Sequence, residues 1–128
     1  TFKKTWDNTL INPYCVKASD ILLQQFATIQ TGITATALGF YAPQGRELLG
    51  QVKNPNIIEL LTNFQWNNHQ ITNLEMETAA IYGLAKLFGH QALSINAILA
   101  NRIDLTFSET PNVVVENMIL KVLGVLVE

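Results

Sequence analysis

The sequence predicts an α/β fold, and three observations carry that reading. Residues 31–40 (TGITATALGF) and 92–101 (ALSINAILAN) are dense in β-branched and small apolar residues, as buried strands are. Other stretches place their apolar residues at helical spacing. The two kinds alternate in the order helix, strand, helix, strand, helix, strand, helix, which builds a sheet with helices packed on it.

Taken in order, the first twelve residues have no clear period and read as irregular or as a strand remnant. After Pro13, Ser19 or Asp20 is placed to cap a short helix carrying Ile21, Leu22, Leu23 and Phe26. The strand 31–40 is bounded by Gly32 and Gly39, and Pro43, Gly45, Gly50 and Pro55 make the next stretch a loop. Ile57, Leu60, Leu61 and Phe64 predict an amphipathic helix over 56–66, followed by a polar turn at 67–70. Ile71 to Leu74 reads as a short strand, and Thr72-x-x-Glu75 has the form of a capping box. A helix is expected from about Met76 to Phe88, with Ala79, Ala80, Leu84, Leu87 and Phe88 on an apolar face and Gly89 ending it. The strand 92–101 follows, then a polar loop, then a terminal helix over 111–127.

At 128 residues the chain fits a single domain, and no internal repeat divides it. Charged residues make up only 14%, against about 25% in typical soluble domains, while hydrophobic residues reach 48%. A small domain needs charge to cover its large surface, so this balance points to large interfaces or to a piece of a larger α/β protein. The net charge of −2, with no basic stripe, argues against nucleic acid as a partner. No run of about 18 apolar residues suggests a membrane span, and the N-terminus lacks the build of a secretory signal. A lone cysteine, Cys15, forms no internal disulfide and suits a reducing cytoplasm. The first residue is Thr rather than Met, which points to a translation start elsewhere.

Phosphate loops, dinucleotide fingerprints and zinc spacings are all missing from the sequence. His69 and His90 have no acidic or cysteine neighbour at ligand spacing and read as turn-edge residues; no metal site is expected. Cys15 stands alone and is not read as a nucleophile, and Trp6, Trp66, Met118 and Phe107 read as packing residues. Two clusters remain. FYAPQGR, residues 40–46, follows a predicted strand at the edge where α/β sheets place ligands. Gln44 donates and accepts, Arg46 only donates, and Phe40 can stack, so a planar heterocycle with adjacent N–H and C=O groups would suit them. An ordinary turn with one exposed polar pair fits the same residues. NLEMET, residues 73–78, sets Glu75 and Glu77 at a strand-to-helix junction. Helix-dipole stabilisation accounts for one carboxylate there; two suggest an acceptor for the vicinal hydroxyls of a sugar. Asn101 and Arg102 close the last strand and by themselves read as a strand stop.

Together GITAT…GFYAPQGR, NLEMETAAIYGLAKLFG and ALSINAILANR resemble the nucleoside phosphorylase family, and FY-x-x-Q-x-R resembles its uridine phosphorylase branch. The resemblance implies part of a three-layer fold with a central mixed sheet flanked by helices, and phosphorolysis of uridine to uracil and ribose 1-phosphate. It implies no cofactor, with inorganic phosphate as co-substrate, and a cytoplasmic homo-oligomer of dimers arranged into hexamers. Residue by residue, Phe40 would pack on the base, Gln44 would pair with N3–H and a carbonyl, and Arg46 would donate to a carbonyl oxygen. Glu77 would hold the ribose hydroxyls, with Met76 beside it and Glu75 supporting that subsite. Leu99 and Ala100 would line the base pocket, and Arg102 would brace the Gln44–Arg46 loop. Purine-type relatives carry aspartate where Asn101 stands; an amide cannot protonate a purine ring, which favours a pyrimidine. A purine phosphorylase, a nucleosidase and a non-catalytic nucleoside-binding or assembly module are the alternatives. The family's phosphate-binding loop lies in an N-terminal half that these 128 residues do not match. The isolated chain is therefore expected to show no phosphate-dependent cleavage of uridine in a uracil-release assay; measurable turnover would overturn that expectation.

Overall fold

The computed structural model describes residues 13–50, 52 and 54–127. Its elements begin with α1 (Asp20–Gln25), β1 (Ile33–Thr36), a 3₁₀ turn (Ala42–Gln44) and α2 (Ile57–Thr62). They continue with β2 (Gln65–Trp66), β3 (His69–Glu75), α3 (Thr78–Leu87), β4 (Ala100–Asn101), β5 (Thr106–Phe107) and α4 (Pro111–Val127). This is a mixed α/β chain. Among the described residues it forms two compact units, one from 13–17 and Gly32–His90, the other from Ala18–Thr31 and 91–127. The reading of the first twelve residues, Trp6 included, lies outside the described residues.

The first unit is built on a small mixed sheet of order β1-β3-β2. β1 runs parallel to β3, pairing Ile33 with Ile71, Thr34 with Asn73, Ala35 with Leu74 and Thr36 with Glu75. Their ends therefore lie level at Thr36 and Glu75. A parallel pair needs a crossover, and the segment holding α2 supplies it. β2 and β3 form a hairpin in which Trp66 faces His69. Its two connecting residues, Asn67 and Asn68, have φ of 48° and 63°. That is the left-handed geometry a two-residue hairpin turn demands, and asparagine tolerates it better than most residues. On α2, Ile57 and Leu61 are buried, and so is Phe64 just beyond it. Ile57 and Leu61 lie one turn apart on the helix, and burying each of the three stabilises the unit by about 1.5–3 kcal/mol.

Several expected boundaries move. Helix 56–66 stops at Thr62 because the hairpin claims Gln65 and Trp66 as a strand, and His69 and Gln70 join β3 rather than the turn. The Thr72–Glu75 capping box does not form, since both residues lie in β3, where β1 pairs with Ile71 and Asn73–Glu75, and the helix starts only at Thr78. Gly89 ends α3 as expected. Its φ is 73°, and His90 N–H donates to Ala85 O (2.8 Å) while Gly89 N–H donates to Lys86 O (3.4 Å), the double bond of a Schellman motif. Ile81, Leu84, Leu87 and Phe88 of α3 remain exposed.

In the second unit, Ser19 caps α1 by accepting from Leu22 N–H (3.3 Å), and its hydroxyl donates to Gln91 Oε1. α4 spans Pro111–Val127 as predicted, with no buried residue. The strand expected over 92–101 is reduced to Ala100–Asn101, paired with β5. A strand exists through its ladder, and the backbone of 92–99 bonds at its ends, Ser19 N–H to Ala92 O and Ser108 N–H to Leu99 O, without forming one among the described residues. Trp66 and Phe107, read as packing residues, are both exposed.

Because a β-branched side chain is strained at positive φ, Asn68→Val is expected to destabilise the protein by about 1–2 kcal/mol. Urea unfolding should show a lower midpoint with an unchanged slope. An unchanged midpoint would mean that the turn carries no weight.

Candidate functional site

All the residues expected for base and ribose recognition between 40 and 77 lie in the first unit. They form two local constructions. The first is the loop after β1. Pro43 sits in the first turn of the 3₁₀ segment, and Gly45 closes it at φ 72°, where its N–H donates to Ala42 O. A Cβ at Gly45 would lie 2.5 Å from Ile57 Cγ2, so only glycine allows the loop to sit this close to α2. The turn buries Gln44. Arg46 then folds back over the loop: Nη1 donates to Phe40 O (2.8 Å) and to Gln44 Oε1. Its guanidinium carbon stands 3.9 Å from the centre of the Phe40 ring, a cation–π contact. Tyr41 meets the same ring edge-to-face at 5.3 Å. Phe40, Gln44 and Arg46 are thus brought together. Their arrangement pairs a cation with an oriented amide, because the acceptor facing Arg46 must be the amide oxygen.

The second construction is the β3–α3 junction. A helix start leaves its first N–H groups without partners, and Glu75 satisfies two of them. Its Oε2 accepts from Glu77 N–H (2.7 Å) and Thr78 N–H (2.6 Å), while Oε1 accepts from the Thr36 hydroxyl across the sheet. Thr36 Oγ1 in turn accepts from Ala79 N–H (3.0 Å). Burial raises the Glu75 carboxyl, but the bonds from Thr36, Glu77 and Thr78 outweigh it and hold the group below the ordinary glutamate value. Glu75 therefore spends its carboxylate on the junction. Glu77, the N-cap residue of α3, is exposed, as is Met76; its Oε2 accepts only a long bond from Met76 N–H (3.2 Å). That leaves Glu77 as the carboxylate presented outward.

Leu99, Ala100 and Arg102 belong to the second unit. Ala100 lies in β4, and Arg102 is half-buried in the β4–β5 turn. Asn101 organises that turn. Its Oδ1 accepts from Ile103 N–H (2.9 Å) and Asp104 N–H (3.3 Å), and its Nδ2 donates to Asp104 Oδ2 (2.7 Å). The strand-stop reading of Asn101 is the one this geometry matches. Cys15 is exposed, and partial desolvation pushes its thiol up, away from the thiolate a nucleophile needs. Sequence reasoning did not single out Thr36. Its only signal was its place within the strand predicted over 31–40.

A family model described as the phosphorylase superfamily matches residues 2–124. A uridine phosphorylase of Thermococcus kodakarensis is 35% identical over 78 residues, which cover 61% of this chain and 27% of that protein's length. No solved structure matches the chain.

The depressed carboxyl of Glu75 makes stability depend on pH. A group with a lowered folded-state value contributes stability above its unfolded value, about 4.3, and loses it as pH falls through the folded value. Glu75→Gln is expected to cost about 1–2 kcal/mol at neutral pH. It should also flatten the loss of stability below about pH 4.3, measured by urea titration. An unaltered acid slope would show that Glu75 is not held as described.

Proposed function

This chain belongs to the phosphorylase superfamily, and from that membership we propose that its protein cleaves uridine with phosphate to give uracil and ribose 1-phosphate. The chain supplies base and ribose recognition, with the phosphate subsite outside these residues. The observation that carries the pyrimidine reading is the Phe40–Gln44–Arg46 cluster, in which a guanidinium and an oriented amide share one short loop. Uracil offers an N–H between two carbonyl oxygens. Gln44 pairs with that N–H and a neighbouring carbonyl, and Arg46 donates to a carbonyl oxygen. Phosphorolysis leaves negative charge on the departing base. Donors placed where that charge grows bind the transition state better than the ground state, which lowers the barrier.

On the ribose side Glu77 takes the vicinal hydroxyls and Met76 flanks them, while Glu75 fixes the backbone that presents both. Base-side roles for Leu99, Ala100 and Arg102 belong to the same proposal. Asn101 has no proton to give a purine, which supports uridine over purine nucleosides. The reading includes the full three-layer fold, no cofactor beyond the phosphate co-substrate, and a cytoplasmic homo-oligomer. Exposed apolar residues on α3 and α4 support the oligomer. Among the described residues no helix is long and apolar enough to cross a membrane.

The test is ligand-observed NMR with uracil and hypoxanthine, followed by kinetics of the full protein. Uracil is expected to bind selectively, and Arg46→Ala or Gln44→Ala to weaken it about 10- to 100-fold, the cost of losing a hydrogen bond to a charged or desolvated group. Glu77→Ala should abolish uridine turnover while leaving uracil binding within about twofold. Preferential binding of hypoxanthine would overturn the pyrimidine assignment.

A further inference from the structure

We infer that Thr36 is a positioning residue for the ribose side of the site: its hydroxyl ties Glu75 and the first turn of α3 to the end of β1, and so sets where Glu77 stands. The inference rests on the ribose role proposed for Glu77.

Thr36 is the last residue of β1 and stands in register with Glu75, the last residue of β3. A threonine hydroxyl has one hydrogen. Here it goes to Glu75 Oε1, so the bond from Ala79 N–H must be accepted by the same oxygen. Both bonds are therefore directional. Glu75 Oε2 spans the N–H groups of Glu77 and Thr78. Two side chains thus fix three consecutive backbone N–H groups, those of residues 77 to 79, relative to the sheet. The Glu77 carboxylate takes no part in that anchoring and stands at its outer end. Without the hydroxyl, Glu75 keeps its two amides but is no longer pinned to β1, and Ala79 N–H loses its acceptor. Glu77 would then move with the helix end, whereas the 40–46 loop has its own bonds.

Valine has the shape of threonine and suits a strand equally well, but neither donates nor accepts; serine does both. In the full protein, Thr36→Val is expected to lower kcat/KM for uridine by about 10-fold or more while changing uracil affinity by less than about twofold. Thr36→Ser should stay within about threefold of the parent. Glu75→Gln should act in the same direction, and the double variant Thr36→Val/Glu75→Gln should be no worse than the poorer single one. Equal losses for uracil and uridine, failure of serine to rescue, or additive losses in the double variant would overturn the inference. If Thr36→Val does not fold, Thr36→Ser against Glu75→Gln carries the comparison. If the parent protein does not cleave uridine, the functional proposal falls on its own. Amide NMR then decides the anchoring: Thr36→Val should move the Glu77, Thr78 and Ala79 resonances and Thr36→Ser should not, and unmoved resonances in the valine variant would sink it.

Discussion

The first unit depends on one carboxylate held in place from two sides. Glu75 accepts from the Thr36 hydroxyl on β1 and from the first N–H groups at the start of α3. Two parallel strands that end level create the need for such a group, since their ends and the helix start meet where backbone donors lack partners. A partly buried carboxylate is costly by itself. Donors from three residues converge on this one, and they offset the desolvation enough to leave it ionised over a wider pH range than an ordinary glutamate. The outcome is a rigid corner in a part of the chain with few large buried side chains.

The 40–46 loop is held by a different route. It uses a left-handed glycine, a buried amide and a cation laid on an aromatic ring, all within seven residues. Such a loop is organised before any ligand arrives, so little ordering entropy opposes binding. Its attachment to α2 runs through the space left by the missing Cβ of Gly45. The corner and the loop both follow the C-terminal ends of parallel strands, the edge at which α/β sheets collect ligand groups. Apolar residues remain uncovered on α3 and α4, in keeping with a composition poor in charge.

What was legible in the sequence was local. Ser19 as a cap, Gly89 as a helix terminator, the long terminal helix and the Phe40–Gln44–Arg46 cluster all follow from residues within a few positions of one another. What was not legible required a partner far along the chain. Thr72 and Glu75 have the spacing of a capping box, but the strand that pairs with Ile33–Thr36 runs through both of them, and the helix starts at Thr78. The stretch 92–99 has strand composition without a ladder among the described residues, so only its last two positions, Ala100 and Asn101, pair. Gln65 and Trp66 continue a helical pattern, yet the Asn67–Asn68 turn folds them onto β3.

By itself the sequence determined the α/β class, through composition and periodicity, and the family, through the motifs it shares with other phosphorylases. The tertiary structure alone decided that Glu75 braces while Glu77 faces outward. It also recruited Thr36 to that brace across 39 residues of sequence. The physical reason is that a hydrogen bond is specified by where two groups stand, and parallel strands bring together residues that no local pattern relates.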